Sequence, residues 1–359
     1  MTSDNAQDQF SGTKPVAEMH RFDEARLLAY LHQHLDGFAE PATISQFKGG
    51  QSCPTYRIDA RSGRYVLRRK PPGKLLPSAH AVDREYRVIT ALHAAGFPVP
   101  RTYLLCEDET IVGTMFYVMD FIDGRVFWDP TMPDLTRDQR AAALADMSDV
   151  MARLHSYDVE ALGLRDFGRP GNYIARQISR WSKQYKASET ESIGDMDRLI
   201  EWLPEHNPSD ETNVLVHGDY SMHNVLFHPS EPRVVAILDW EISTLGHPLG
   251  DLSYNTLIWY APRFDGGMAT YGDTDLKALG IPSLEQYVSD YCTRAGRDPV
   301  PDFGFYKAYT MFRLACIYQG IIGRVRDGTA ANPHAAELAE RIRPLAAAAW
   351  SEATALGAS

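Results

Sequence analysis

Four polar residues of one short stretch have the types and the spacing to do chemistry. Between Asn213 and Glu241 the chain reads NVLVHGDYSMHNVLFHPSEPRVVAILDWE. His217 and Asp219 come first, Asn224 follows five residues after Asp219, and Asp239 another fifteen residues on. A carboxylate at Asp219 can accept the proton of a substrate hydroxyl. Asn224 and Asp239 offer hard oxygen donors, the kind Mg²⁺ prefers when phosphate oxygens and water fill its remaining positions. Phosphoryl transfer needs that division of labour, one base orienting the nucleophile and metal neutralising charge on the phosphates. Taken singly, His-Gly-Asp is a tight turn and Asp239 a helix cap. The ordered set argues for the chemistry.

The elements that must position these residues are short. Val214–Val216, Val225–Phe227 and Val234–Leu238 are apolar runs rich in Val and Ile, bounded by Gly, Pro and polar residues. Runs of that kind suit buried strands better than helices. The predicted order is strand, polar loop His217–Asn224, strand, turn at Pro229 to Pro232, strand, acid. It brings His217, Asp219, Asn224 and Asp239 to the same ends of neighbouring strands.

The ordered set resembles the aminoglycoside phosphotransferase and choline kinase superfamily, small-molecule relatives of the protein kinases. His217-Gly218-Asp219 with Asn224 corresponds to the kinase His-Arg-Asp and its later Asn, and Asp239-Trp240-Glu241 to Asp-Phe-Gly. Gly250-Asp251-Leu252 resembles the family's Gly-Asp-Leu segment. The resemblance implies an α+β, protein-kinase-like bilobal fold. A flexible leader over 1–22 would precede a small antiparallel-sheet N-lobe over 23–121 and a larger, mostly helical C-lobe over 122–359. ATP with Mg²⁺ would lie in the cleft between the lobes. Asp219 would be the catalytic residue, Asn224 and Asp239 the metal ligands, and His217 and Asp251 supports of the loop.

The N-terminal part supplies the nucleotide side of this expectation. A helix is predicted from Phe22 to Leu35, with Asp23 near its start and Gly37 past its end. Ile44–Phe47 and Tyr56–Ile58 read as strands interrupted by Lys48-Gly49-Gly50-Gln51-Ser52. Adjacent glycines there are a plain hairpin turn or an anion cradle. The resemblance makes Gly49, Gly50, Gln51 and Ser52 phosphate-binding candidates. In the next strand, Tyr65–Lys70, strand phase puts Arg68 on the face of Val66, where the kinase pattern has lysine; Lys70 is the alternative. Pro71–Pro77 is a proline-stiffened loop and not a Walker A element. A helix is expected from Ser78 to Ala95, presenting Glu85 to Arg68, with Asp83 as a competing acid. Arg101–Cys106 and Met115–Phe121 read as strands, the second leading to a hinge at Asp123-Gly124. The resemblance sets the backbone around Met119 and Phe121 against the adenine ring. Helical periodicity then covers Arg137–Tyr157, Asn172–Lys186, Met196–Leu203, Leu249–Tyr260, Leu284–Ala295, Phe303–Ile322 and Ala335–Ala355. Trp181, Tyr185 and Trp202 read as core or groove-lining residues.

Composition bounds the partners. With 36 basic and 47 acidic residues the formal charge is −11, which argues against nucleic acid as the main partner. Cys53, Cys106, Cys292 and Cys316 form no Cys-x-x-Cys pair and fit a reducing cytoplasm. No apolar stretch approaches the length of a membrane span, and residues 1–20 lack the apolar core of a signal peptide. His217, His223 and His228 lack the partners of a zinc site. For the acceptor, Pro71–His80 with Asp83-Arg84-Glu85-Tyr86 resembles one branch of the superfamily: kinase-like domains attached to certain acyl-CoA dehydrogenases, and stand-alone bacterial relatives that phosphorylate hydroxyacyl-CoA substrates. That implies a hydroxyacyl-CoA or related hydroxy acid as the small-molecule acceptor, and leaves a homodimer open. An aminoglycoside-type antibiotic phosphotransferase is the rival enzyme. It calls for clustered carboxylates, whereas Asp265, Asp273 and Asp275 read as a solvated loop. A nucleotide-binding pseudokinase acting through a partner is the rival from another class, kept open by arginine at position 68.

Overall fold

The computed structural model describes residues 11–49, 53–72, 81–209, 212–264, 269–300, 303–328 and 335–358. The elements begin with β1 (Thr13–Lys14), α1 (Glu24–His34), β2 (Ala42–Phe47), β3 (Thr55–Ala60), β4 (Gly63–Arg69) and α2 (Val82–Ala94). Then come β5 (Thr102–Cys106), α3 (Glu109–Val112), β6 (Phe116–Asp120), α4 (Arg137–Ser156), α5 (Tyr173–Ser188) and α6 (Gly194–Glu205). Four short strands follow, β7 (Val214–Val216), β8 (Val225–Phe227), β9 (Val234–Ile237) and β10 (Thr244–Gly246). The chain ends in α7 (Pro248–Asn255), α8 (Leu257–Tyr260), α9 (Leu276–Leu279), α10 (Leu284–Arg294), α11 (Phe303–Arg326) and α12 (Ala335–Ala355). The fold is α+β, with an antiparallel N-terminal sheet and a helical C-terminal region. The described residues form two compact units. One draws on described residues within 11–128, 160–164 and 223–243, the other on those within 129–159, 165–222 and 244–358.

In the first unit the strand order is β1-β2-β3-β4-β6-β5. Period-two alternation gives each central strand two different faces. Tyr65 and Leu67 of β4, Tyr56 and Ile58 of β3, and Phe116 and Val118 of β6 pack with Leu27, Leu31 and Leu35 of α1 and its C-cap. Val66 and Arg68 take the opposite face and line a pocket. Asp23 caps α1 by accepting from the Arg26 N–H at 3.0 Å. β1 pairs Thr13 with Phe47 and Lys14 with Gln46, so the sheet extends into the stretch expected as a leader. A two-residue strand carries no periodicity to announce it. Ser78 lies outside the described residues; α2 begins at Val82, and no side chain among the described residues caps it.

The second unit is mostly helical. Thr136 and Gln139 form a capping box at the start of α4. α11 packs along α12 and against α5. A Cβ on Gly320 or Gly323 would meet Gln184 Nε2 at 2.5 Å or Ser188 Cβ at 2.6 Å, so glycine lets α5 approach. The helix expected over Leu249–Tyr260 is divided at Thr256 into α7 and α8.

One expected pairing changes. β7 pairs antiparallel with β10, Leu215 opposite Leu245. β8 instead pairs with β9, Val225 opposite Ile237. Only this second ladder brings two of the four polar residues to one end, because β10 is a distant partner that local spacing does not reveal. No helix among the described residues is long and apolar enough to cross a membrane.

Candidate active site

Arg68 is the charged centre of the first unit. It is 7% exposed and shares its fork among three acids. Its Nε lies 2.8 Å from Glu85 Oε2, and its Nη2 lies 2.7 Å from Asp239 Oδ1 and 3.5 Å from Glu241 Oε2. Burial works against the guanidinium charge, but Glu85 and then Asp239 outweigh it and hold the pKa well above its ordinary value. Helix phase selects Glu85: with Val82, Ile89 and Leu92 it forms the buried stripe of α2, whereas Asp83 faces solvent. Arg69 turns to the other face of β4, over the rings of Phe22 and Tyr56, and donates to Val112 O at 2.7 Å. Lys70 is not among the residues lining the pocket.

Glu85 has a consequence for stability. Burial pushes its carboxyl up from 4.5 to about 7; Arg68 opposes the rise, while Asp239 and Glu241 add to it. The folded protein holds this proton to higher pH than the unfolded chain does. Stability from the group is therefore complete below pH 4.5 and is lost as pH rises through about 7. The loss is on the order of 3 kcal/mol. Denaturation of wild type and Glu85→Gln across that window should show the wild type losing stability relative to the variant by this amount. A pH-independent difference would contradict the assignment.

The β8–β9 ladder supplies the two oxygen donors. Leu238 N–H donates to Asn224 O at 2.8 Å, extending the pairing past Val225 and Ile237. Asn224 and Asp239 thereby flank one end of the hairpin. Asp239 adopts φ +66°, a left-handed conformation in which Asp is among the few tolerated residues. Next to it, Trp240 is buried, donates to Ile237 O at 3.0 Å and meets Phe97 edge-on. A cavity of about 490 Å³ within this unit is lined by Gly49, Arg68, Glu85, Met119, Phe121, Asn224 and Asp239 together. Its size suits a small-molecule or nucleotide pocket. Gly124 sits where a Cβ would meet Leu226 Cγ at 2.4 Å and Phe227 O at 2.7 Å, so the segment after β6 can pair closely with β8. Gly50, Gln51 and Ser52 lie outside the described residues.

The loop carrying His217 and Asp219 belongs to the second unit and is braced there. Asp251, buried near the start of α7, accepts the His217 N–H at 2.6 Å and the Gly218 N–H at 2.7 Å. His155 Nε2 lies 3.2 Å from the same carboxylate, and His155 Nδ1 lies 2.6 Å from the Tyr291 hydroxyl. Burial alone would raise the Asp251 pKa; His155 and His217 outweigh it and hold it low. Gly218, at φ +85°, takes a conformation that favours glycine, and its carbonyl accepts from Arg313 Nη2 at 2.9 Å. His217 Nδ1 accepts the Asp219 N–H at 3.2 Å. Beside it, the Tyr254 hydroxyl hydrogen-bonds the Asp219 carboxylate. Asp251→Asn replaces one acceptor oxygen by a donor that faces N–H groups. It should cost about 2–4 kcal/mol, from the unpaired buried donors and the lost charged acceptor, measurable by urea denaturation. A loss under about 0.5 kcal/mol would make Asp251 a bystander.

Several of these partners escape a reading of the sequence. Glu241 on Arg68, Trp128 and His223 stacked 4.8 Å apart at the pocket wall, and His155 on Asp251 are all long-range contacts. Arg313 did leave a signal, as a lone charge inside the apolar run Tyr309–Tyr318.

The family model described as "Phosphotransferase enzyme family" matches residues 43–287. The chain belongs to the phosphotransferase enzyme family. A solved structure from Ralstonia eutropha JMP134, provisionally named an aminoglycoside phosphotransferase, is 47% identical with a TM-score of 0.84, covering 93% of this chain and 99% of that one. Choline kinase from Cryptosporidium parvum, at 12% identity and TM-score 0.61 over 93% of this chain and 96% of its own, shares the fold. Acyl-CoA dehydrogenase family member 11 of Rattus norvegicus is 44% identical over 340 residues, 93% of this chain and 44% of that protein. The phosphotransferase chain thus spans less than half the length of the curated relatives it matches. Its fold is that of kinase-like phosphotransferases.

Proposed function

We propose that this phosphotransferase uses ATP and Mg²⁺ to phosphorylate the hydroxyl of a hydroxyacyl-CoA or a related hydroxy acid, in the cytoplasm. The observation that carries the kinase part is the buried Arg68 held between Glu85 and Asp239 on the wall of one pocket. A fork fixed from two sides is a preorganised phosphate ligand. The donor set fits magnesium: an amide oxygen from Asn224 and a carboxylate from Asp239, few protein ligands of the hard type, with room left for phosphate oxygens. Three acids around one guanidinium also leave negative charge that a divalent cation would offset. When bound, the metal would neutralise charge on the phosphate oxygens.

The chain's own residues do the rest. Met119 and Phe121 offer strand-end backbone to the adenine ring, and Gly49 borders the same pocket. Arg68, oriented by Glu85, holds phosphate oxygens. Asp219, kept in place by Tyr254 and by the braced His217–Gly218 turn, orients the acceptor hydroxyl and takes its proton. The acceptor oxygen bonds to the γ-phosphorus as the bond to the β-phosphate bridging oxygen breaks, leaving ADP. Positioning and electrostatics account for the acceleration.

The acceptor class rests on likeness to proteins named acyl-CoA dehydrogenase family members across nearly the whole chain. Its test is a Mg·ATP screen of 3- and 4-hydroxyacyl-CoAs beside choline, homoserine and several aminoglycosides, read by mass spectrometry. The expected result is a phosphorylated hydroxyacyl-CoA. The aminoglycoside reading, which the Ralstonia protein's name favours, predicts transfer to the antibiotics alone.

A further inference from the structure

We infer that Arg313 and Trp181, beside Asp219, form a recognition point for a carbonyl-type oxygen of the acceptor, and so select hydroxy acids and their thioesters against cationic alcohols. This rests on the reading of Asp219 as the residue that meets the acceptor hydroxyl.

Arg313 stands in a part of α11 that is otherwise apolar and aromatic, between Phe312 and Leu314, and is only 8% exposed. Its bond to Gly218 O accounts for Nη2. Its Nε–H is buried and has no hydrogen-bond partner among the described residues. The Trp181 Nε1–H is in the same condition. The two side chains are neighbours: the Arg313 Cζ lies 5.9 Å from the Trp181 ring centroid and 5.2 Å from that of Tyr254. Tyr254 in turn hydrogen-bonds Asp219. Trp181, Tyr254 and Asp219 each keep part of their surface exposed, so the group borders solvent.

A buried N–H without an acceptor is costly, and two on neighbouring side chains call for an explanation. Bracing of the loop explains the Nη2 contact and leaves the other two donors unexplained. Both donors demand a ligand atom that only accepts. A carbonyl or carboxylate oxygen meets that demand; an ammonium group does not, and the fixed guanidinium repels it. Trp181, which the sequence marks only as a core or groove-lining residue, thereby gains a polar task.

The test compares 4-hydroxypentanoate, its CoA thioester, pentane-1,4-diol and choline as acceptors for wild type, Trp181→Phe and Arg313→Lys. Trp181→Phe removes the N–H and keeps an aromatic, though smaller, side chain. The quantity read is the ratio of kcat/KM for thioester over diol, which is insensitive to a general loss of active protein. We expect it to fall about five- to tenfold in Trp181→Phe, the size of one hydrogen bond, and at least as far in Arg313→Lys. An unchanged ratio in both variants, with the thioester still phosphorylated, would overturn the inference and leave the proposed function standing. Calorimetric binding of 4-hydroxypentanoate covers the converse case. Affinity weakened by Trp181→Phe supports the recognition point even when no thioester is phosphorylated, and choline binding more tightly than 4-hydroxypentanoate overturns it.

Discussion

Asp219→Asn should lower kcat by about 10²–10⁴-fold, the range typical for loss of a positioned general base. The amide can still hydrogen-bond a hydroxyl and the Tyr254 oxygen, so the loop and the acceptor pose are kept while proton acceptance is lost. The KM for ATP should change little, because Asp219 is not among the residues lining the pocket proposed for the nucleotide. Steady-state kinetics with saturating acceptor would check this. A fall in kcat of under tenfold would move the basic role to another group. A large rise in the KM for ATP would assign Asp219 to nucleotide binding.

Arg68→Met is the second large effect. It removes a cation shared by Glu85, Asp239 and Glu241, and methionine restores packing without charge. Breaking a buried ion pair from one side costs about 3–5 kcal/mol. Glu85, already pushed up to about 7 by burial, can then take a proton and absorb part of that cost, more completely below neutral pH. Stability should therefore drop more at pH 8 than at pH 6, together with a loss of kcat/KM of at least about tenfold. Arg68→Lys should recover the charge but only part of the activity. A single ammonium point cannot meet Glu85 through one nitrogen and Asp239 through another in the geometry the fork fixes. Full activity in the lysine variant would show that the two-sided hold on Arg68 is dispensable.

Which of these features the sequence carried follows from distance along the chain. The spacing of Asp219, Asn224 and Asp239 is local, and the strands around them were legible because apolar runs end abruptly at polar residues. Strand phase put Arg68 on the face of Val66, and helix phase separates Glu85 from Asp83. The partner of β7 was not legible: Leu215 meets Leu245 across thirty residues, with no signal beyond a three-residue run. Nor was β1, whose two residues align only because β2 presents a free edge. Asp251 stood out by its motif, but its bond to His155 joins residues 96 apart, and only packing brings α4 to α7. Tyr254 and Arg313 are the instructive cases. A tyrosine in an ordinary helix sequence announces nothing, whereas an arginine in an apolar helix core announces a partner without saying which.

The most direct measurement follows the γ-phosphoryl group itself. Wild type would be incubated with magnesium, ATP carrying ¹⁸O in its γ-phosphate, and a 4-hydroxyacyl-CoA, and the products resolved by mass spectrometry. The predicted result is a labelled phosphoryl group on the acceptor hydroxyl, lost in Asp219→Asn. Tight nucleotide binding with label confined to ATP and inorganic phosphate, whatever hydroxyacyl-CoA is offered, would contradict the proposed reaction.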